Sequence, residues 1–329
     1  MFIRKPNPLD PVGGTETPET VALNRRRWIK AAGLSAGLVA AGGFGAWRWL
    51  RGSDKDVLAG GKPDGLERLQ QAGHYPAARD ERFEYGRPET IESEAARYTN
   101  FYEFSSFKWS WRLVEGFRSD PWTLTIDGLC RKPLKLDTDS LLKRYAATLT
   151  ERQYRHRCVE RWAMAIPWTG IPLAEVIRDV DPLAEATHVR FVTFNRPDQA
   201  PGMADKRFPW PYTEGLTLAE ATSELTFLAT GMYGHPLLKQ HGAPVRLVAP
   251  WKYGYKSIKS IERIELVRDE PSTFWTTYMP DAYPFESNVD PRVARPWPQQ
   301  TERMLGTNEQ HSTQLYNGYE SYVAKLYDA

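Results

Sequence analysis

Cys158 stands in Arg155-His-Arg-Cys-Val-Glu-Arg-Trp162 and is one of two cysteines in a chain of 329 residues. Four groups able to carry positive charge surround this one thiol. Such surroundings favour the thiolate, which is both a nucleophile and a soft-metal ligand. Three uses of the sulfur follow: a single thiolate ligand to a metal, a catalytic or redox thiol, or half of a disulfide with Cys130. An inert packing cysteine is the fourth, and the segment alone does not separate them. A second cluster is Arg246-Leu-Val-Ala-Pro-Trp-Lys252-Tyr-Gly-Tyr-Lys256-Ser-Ile-Lys259, with four cations around a glycine-containing turn. Cations and turn N–H groups together can receive a phosphate or another anion. The plainer alternative is a lysine face on an exposed strand. The third cluster is Tyr98-Thr-Asn-Phe-Tyr-Glu-Phe104, polar groups between aromatics, which by itself passes as an ordinary strand.

Other chemistries lack their residues. The six histidines form no H-E-x-x-H pair, which excludes the usual zinc protease, and there is no G-x-S-x-G elbow, Walker A loop or G-x-G-x-x-G turn. Two cysteines exclude a disulfide scaffold, a four-cysteine zinc site and an all-cysteine iron–sulfur cluster within one chain. Before Ser53 stand eight of the 43 basic residues and three of the 41 acidic ones, so the body carries 35 against 38, a formal −3. That balance lacks the positive field of a nucleic-acid-binding protein. Twelve Trp and 16 Tyr point to a large core with aromatic-lined clefts.

Three regions must position these residues. Residues 1–50 contain Asn24-Arg25-Arg26-Arg27-Trp28-Ile29-Lys30 followed by small or apolar residues, the pattern of a twin-arginine export signal or an uncleaved membrane anchor. Residues 51–97 are charged with little periodicity and read as a linker or peripheral wrap. Residues 98–329 form the main domain. Strands are expected over 120–128, 134–136, 148–158, 188–194, 224–230, 244–250 and 260–268. Helices are expected over 137–145, capped by Asp137, and over 172–180, opened by Pro172, with a helix turn over 216–222. Without a regular βαβ rhythm the class is α+β with mixed sheets and short helices.

The three clusters, with Ser119-Asp-Pro-Trp122, Pro167-Trp168, Gly242-Ala-Pro-Val-Arg246, Pro250-Trp-Lys-Tyr-Gly254 and Asn317-Gly-Tyr319, resemble the molybdopterin-dependent oxidoreductases of the sulfite oxidase fold. The likeness is strongest to the catalytic subunits of bacterial periplasmic protein-methionine-sulfoxide reductases and spans Tyr98 to Tyr327. It implies one Mo-molybdopterin with Cys158 as the thiolate ligand of the metal and Glu160 as a proton partner in catalysis. Thr99, Asn100, Tyr102, Glu103, Thr193, His241, Arg246, Ser257, Ile258 and Lys259 occupy positions that contact the pterin. Thr99, His241 and Ser257 stand where the family usually has Asn, Asn and Gly; the serine matters most if its φ is positive. The resemblance further implies a periplasmic enzyme that accepts electrons from a haem-containing membrane subunit, with oxidised periplasmic proteins as substrates and no nucleic acid. Its alternatives are a molybdoenzyme oxidising sulfite, with Arg155, Arg157 and Arg161 converging on the oxyanion, and a cofactor-free exported binding protein.

Overall fold

The computed structural model describes residues 52–293 and 295–328, so the paired arginines and the apolar run after them lie outside the described residues. Residues 54–97 contain three short helices, α1 (Asp54–Ala59), α2 (Leu66–Gln71) and α3 (Glu92–Arg97). Long-range hydrogen bonds hold this stretch to the sheets. Gln240 Nε2 donates to the Val57 carbonyl at 3.0 Å, Tyr75 Oη to Thr230 Oγ1 at 2.9 Å, and the Thr90 N–H to the Ala165 carbonyl at 2.9 Å. Ala95 on α3 joins the main hydrophobic core.

Period-2 alternation builds the first hairpin. Leu124 and Ile126 of β1 (Thr123–Gly128) point inward, and β2 (Leu134–Asp137) returns antiparallel with Thr123 opposite Asp137. The Asp137 carboxylate accepts the Ser140 N–H at 2.7 Å and opens α4 (Thr138–Arg144), as its side-chain chemistry dictates. The chain continues through β3 (Thr150–Arg157), β4 (Trp162–Pro172), α5 (Leu173–Asp179), β5 (His188–Thr193) and β6 (Thr213–Thr217). The expected helix turn at 216–222 is half strand: β6 runs to Thr217, whose hydroxyl forms a capping box with Glu220 and starts α6 (Leu218–Ala221). Beyond lie β7 (Phe227–Met232), β8 (His235–Pro236), β9 (Arg246–Val248), β10 (Ile261–Val267), α7 (Phe274–Tyr278), β11 (Thr301–Met304) and β12 (Gln310–Ser312).

Two mixed sheets result. One has the order β2-β1-β10-β5-β6, with β1 and β10 parallel; the other runs β12-β11-β4-β7-β8, with β3 beside β4 and β9 beside β7. The α+β class with short helices is therefore the observed one. The spine of the second sheet, β4, is absent from the sequence-based expectations. Ten of its eleven residues are buried, so it shows no alternation, and Pro167 and Gly170 interrupt its strand pattern. Pro167 is tolerated because β7 begins to pair only at Trp168, where one side of β4 first acquires that neighbour.

Candidate active site

β3 and β4 are joined by the tight turn that carries the thiol. The Cys158 N–H donates to the Trp162 carbonyl at 2.9 Å and the Arg161 N–H to the Cys158 carbonyl at 3.0 Å, with Arg161 held at φ +72°. The turn aims Cys158 and Glu160 into a cavity that, with the open space at its mouth, encloses about 940 Å³. Pleating supplies one wall: Trp162, Met164, Ile166 and Trp168 alternate along β4 onto the same face. The loop Thr99–Glu103, His241, Arg246 and Ser257–Lys259 supply the others. All three sequence clusters therefore meet at one place.

Cys158 is buried, and burial together with the Glu160 charge pushes its thiol up to about 12. The expectation of a thiolate stabilised by flanking cations is thus corrected. Along β3 the side chains alternate, so His156 lines the cavity while Arg155 and Arg157 turn the other way. Both arginines close on the buried carboxylate of Glu302, Arg157 Nε to Oε2 at 2.8 Å and Arg155 to Oε1. Arg161 bonds Thr301 Oγ1 at 2.6 Å. None of the three lines the cavity, which removes the oxyanion-binding arginines that a sulfite-oxidising reading requires. Cys130 and Cys158 are both free, so the disulfide reading falls as well.

One residue that drew no attention in the sequence organises the mouth. Lys108 Nζ donates to Asn100 Oδ1 and to Glu160 Oε2, while Trp162 Nε1 donates to the same Glu160 oxygen at 2.8 Å. Asn100 Nδ2 in turn reaches Cys158 Sγ at 3.7 Å, and the Glu160 N–H lies 3.5 Å from that sulfur. Lys108 has no motif around it, and only the three-dimensional meeting of residues 100, 108 and 160 reveals it.

The cavity also holds a cradle of cations. Arg246 is buried, stacks 4.8 Å over Trp168, and donates to the His241 and Ser257 carbonyls at 2.9 Å each. Among the described residues no carboxylate reaches it, and burial lowers it to about 9. Lys259 donates to the Asn100 carbonyl; removal from water and the Arg246 charge hold it below the ordinary lysine range. Burial and these two cations drive His156 down to about 3 and His241 well below its ordinary value, and His241 Nε2 has no protein partner. Glu103, raised by burial, is the carboxylate that lines the cavity beside Lys259. Positive charge in excess of the protein's own anions, with an unpartnered imidazole nitrogen, fits an anionic group such as a phosphate.

The remaining expected positions divide. Thr99, Asn100, Tyr102, Glu103, His241, Arg246, Ser257, Ile258 and Lys259 all line the cavity. Thr193 does not: its hydroxyl donates to the Lys259 and Ser260 carbonyls at 2.8 and 2.9 Å, so it holds the loop from behind. Ser257 lies at φ −87°, a conformation open to any residue, so its replacement of Gly carries no backbone strain. Gly242, at φ +98°, does need to be glycine, because a Cβ there would meet Lys259 Cβ at 2.7 Å. Among the described residues no group of three or more His, Cys, Asp or Glu could hold a metal ion. A metal on Cys158 must therefore bring its other ligands with a cofactor.

The fold and the donor set define a molybdopterin-type oxidoreductase, and residues 112–275 match the family model described as oxidoreductase molybdopterin binding domain. The chain is 42% identical to the protein-methionine-sulfoxide reductase catalytic subunit MsrP of Burkholderia mallei over 94% of its length and 91% of that protein. The namesake from Gluconobacter oxydans is 48% identical, over 72% of this chain and 78% of that protein. The chain belongs to the family of protein-methionine-sulfoxide reductase catalytic subunits, and its cofactor is Mo-molybdopterin. Among solved structures, the sulfane dehydrogenase SoxCD of Paracoccus pantotrophus aligns with 46% of this chain and 40% of that chain, at 19% identity and a TM-score of 0.38.

Proposed function

We propose that the chain is the catalytic subunit of a periplasmic enzyme that reduces methionine sulfoxide in oxidised proteins, drawing electrons from a haem-containing membrane subunit. The observation that carries this reading is the shared cavity of one buried thiol and a cradle of two buried cations, Arg246 and Lys259, with Glu103 as the carboxylate beside them. The Cys158 sulfur would be the protein's ligand to molybdenum, as a thiolate, having given up the proton that burial otherwise retains. Arg246, Lys259 and His241 take the terminal phosphate, with Thr99, Tyr102, Glu103, Ser257 and Ile258 along the pterin. When bound, the cofactor supplies oxygen-atom transfer and a two-electron change, so that sulfoxide, two protons and two electrons become thioether and water. Glu160 Oε2 is fixed by Lys108 and Trp162, which leaves Oε1 to exchange a proton with the departing oxygen. Asn100 orients the sulfur, and the aromatic pair Tyr98 and Trp162, 5.3 Å apart, forms an apolar neck suited to a methionine methyl group. Asn24-Arg25-Arg26-Arg27 supports export in the folded state, after cofactor insertion.

The test is molybdenum by plasma mass spectrometry and pterin by fluorescence on the full chain beside its Cys158→Ser variant. One metal and one pterin per parent chain, with sulfoxide reduction that the variant loses, is the expected result. Protein without either, from cells that make the cofactor, would overturn the proposal.

A further inference from the structure

Beside the mouth of the cavity runs a second groove of about 650 Å³, counted the same way, which shares Tyr98, Glu160, Trp162 and Trp297 with it. Its outer end is built differently from the rest of the arginine-rich neighbourhood. Along β11 Glu302 and Met304 are buried and Thr301 and Arg303 half-buried, and Glu302 and Arg303 both line the groove. Glu302 neutralises Arg155 and Arg157 inside the protein. Arg161 and Arg303, both half-buried, line the groove, and neither has a carboxylate within ion-pair distance among the described residues. Each is nevertheless fixed. Arg161 Nη2 donates to Thr301 Oγ1 at 2.6 Å, and Arg303 Nη1 donates to Asn308 Oδ1 at 2.7 Å. Arg161 is moreover a non-glycine residue in the left-handed region, a conformation that costs energy and survives only where its surroundings enforce it. The nearby acids are engaged: Glu160 by Lys108, Glu302 by Arg155 and Arg157, and Glu309 by Arg87. Two oriented guanidinium groups thus stand one residue and one strand away from the proton-carrying carboxylate.

We infer that this groove is a subsite for the polypeptide flanking the sulfoxide and that it selects segments rich in Asp and Glu. The inference rests on the sulfoxide-reductase reading above and adds to it a substrate class and the residues that recognise it. The geometry needs a chain longer than the reacting side chain: the sulfoxide enters past Tyr98 and Trp162, and its neighbours lie along Arg161, Arg303 and Gln310 of the edge strand β12. Charge complementarity of this kind acts on partner choice and on encounter, and salt weakens it.

The experiment uses the full-length holoenzyme with a reduced dye as electron donor and nine-residue peptides carrying one central methionine sulfoxide. The flanks are all acidic, all basic or uncharged. At about 0.02 M ionic strength kcat/KM is expected to be roughly tenfold higher for the acidic than for the basic peptide, and the ratio falls to within about twofold at about 0.5 M, where the Debye length is a few ångströms. Arg303→Glu abolishes or inverts the ratio, Arg303→Gln lowers it, and Lys135→Glu on the exposed face of β2 leaves it as in the parent. The salt dependence of the parent needs no variant to fold. A ratio near one at low salt, or one that Arg303→Glu does not move, would overturn the subsite while leaving the reductase standing. Turnover of no peptide at all would overturn both.

Discussion

Lys108 is the residue whose loss tests the mouth most directly. A charge-assisted hydrogen bond is worth roughly 1.5–3 kcal/mol, so Lys108→Met is expected to lower kcat/KM for sulfoxide by roughly 10–100-fold. The molybdenum content stays at the parent level, because the thiol and the cation cradle are untouched. Lys108→Arg recovers part of the loss. A variant with parent kinetics would show that Glu160 and Asn100 hold their places without the lysine. At this scale the sequence was informative where residues stand close in the chain and silent where they do not. Cys158 with Glu160, and Arg246 with Lys259, are legible as short clusters. Lys108 is legible only after the fold brings it to Glu160, and Thr193 shows how a position assigned by resemblance can act through the carbonyls of Lys259 and Ser260 instead. The flanking arginines misled for a simple reason: adjacent residues of a strand face opposite sides, so Arg155 and Arg157 turn to Glu302, and the lowering that Arg157 exerts on the thiol is outweighed by burial and Glu160.

At the scale of elements, His235 ties β8 to α3 through Glu92, with Nε2 to Oε1 at 2.7 Å. Burial works against its charge, but the bonds to Glu92 and the Pro236 carbonyl outweigh it and raise the imidazole above its ordinary value. A raised value in the folded state means that the stabilisation is fully present below the unfolded-state value of about 6.5 and is lost as pH rises through the folded one. The free energy of unfolding should therefore fall as pH rises above about 6.5, and His235→Gln should flatten that slope. Denaturant titrations of the two proteins at several pH values measure it, and equal slopes would remove His235 from the account. The elements with clean local signals, β1, β2, α4 and β5, were readable from alternation and from Asp137. β4 was hidden by being buried on both faces, and β11 and β12 by their shortness.

On the scale of the whole molecule, the triad of Arg155, Arg157 and Glu302 welds β3 to β11 in the interior. Removing the acid strands two buried guanidinium groups, so Glu302→Ala is expected to cost roughly 3–5 kcal/mol and several degrees of melting temperature. Replacing all three by apolar residues of similar volume should return most of that loss. An unchanged melting temperature for Glu302→Ala would mean that solvent or a neighbouring acid reaches the arginines.

The cation cradle of the cavity is built on the opposite plan. Burial lowers Arg246, burial and the Arg246 charge lower Lys259, burial and both cations lower His156 and His241, and Glu103 offsets only part of this charge. The missing counter-charge must come from outside the polypeptide, and whatever brings it is bound with the same free energy that relaxes the chain. Maturation and folding thus share one reaction coordinate. A loaded chain is expected to be the tauter one, and under the export proposed above a machinery that admits only taut chains would reject unloaded enzyme without ever sensing molybdenum.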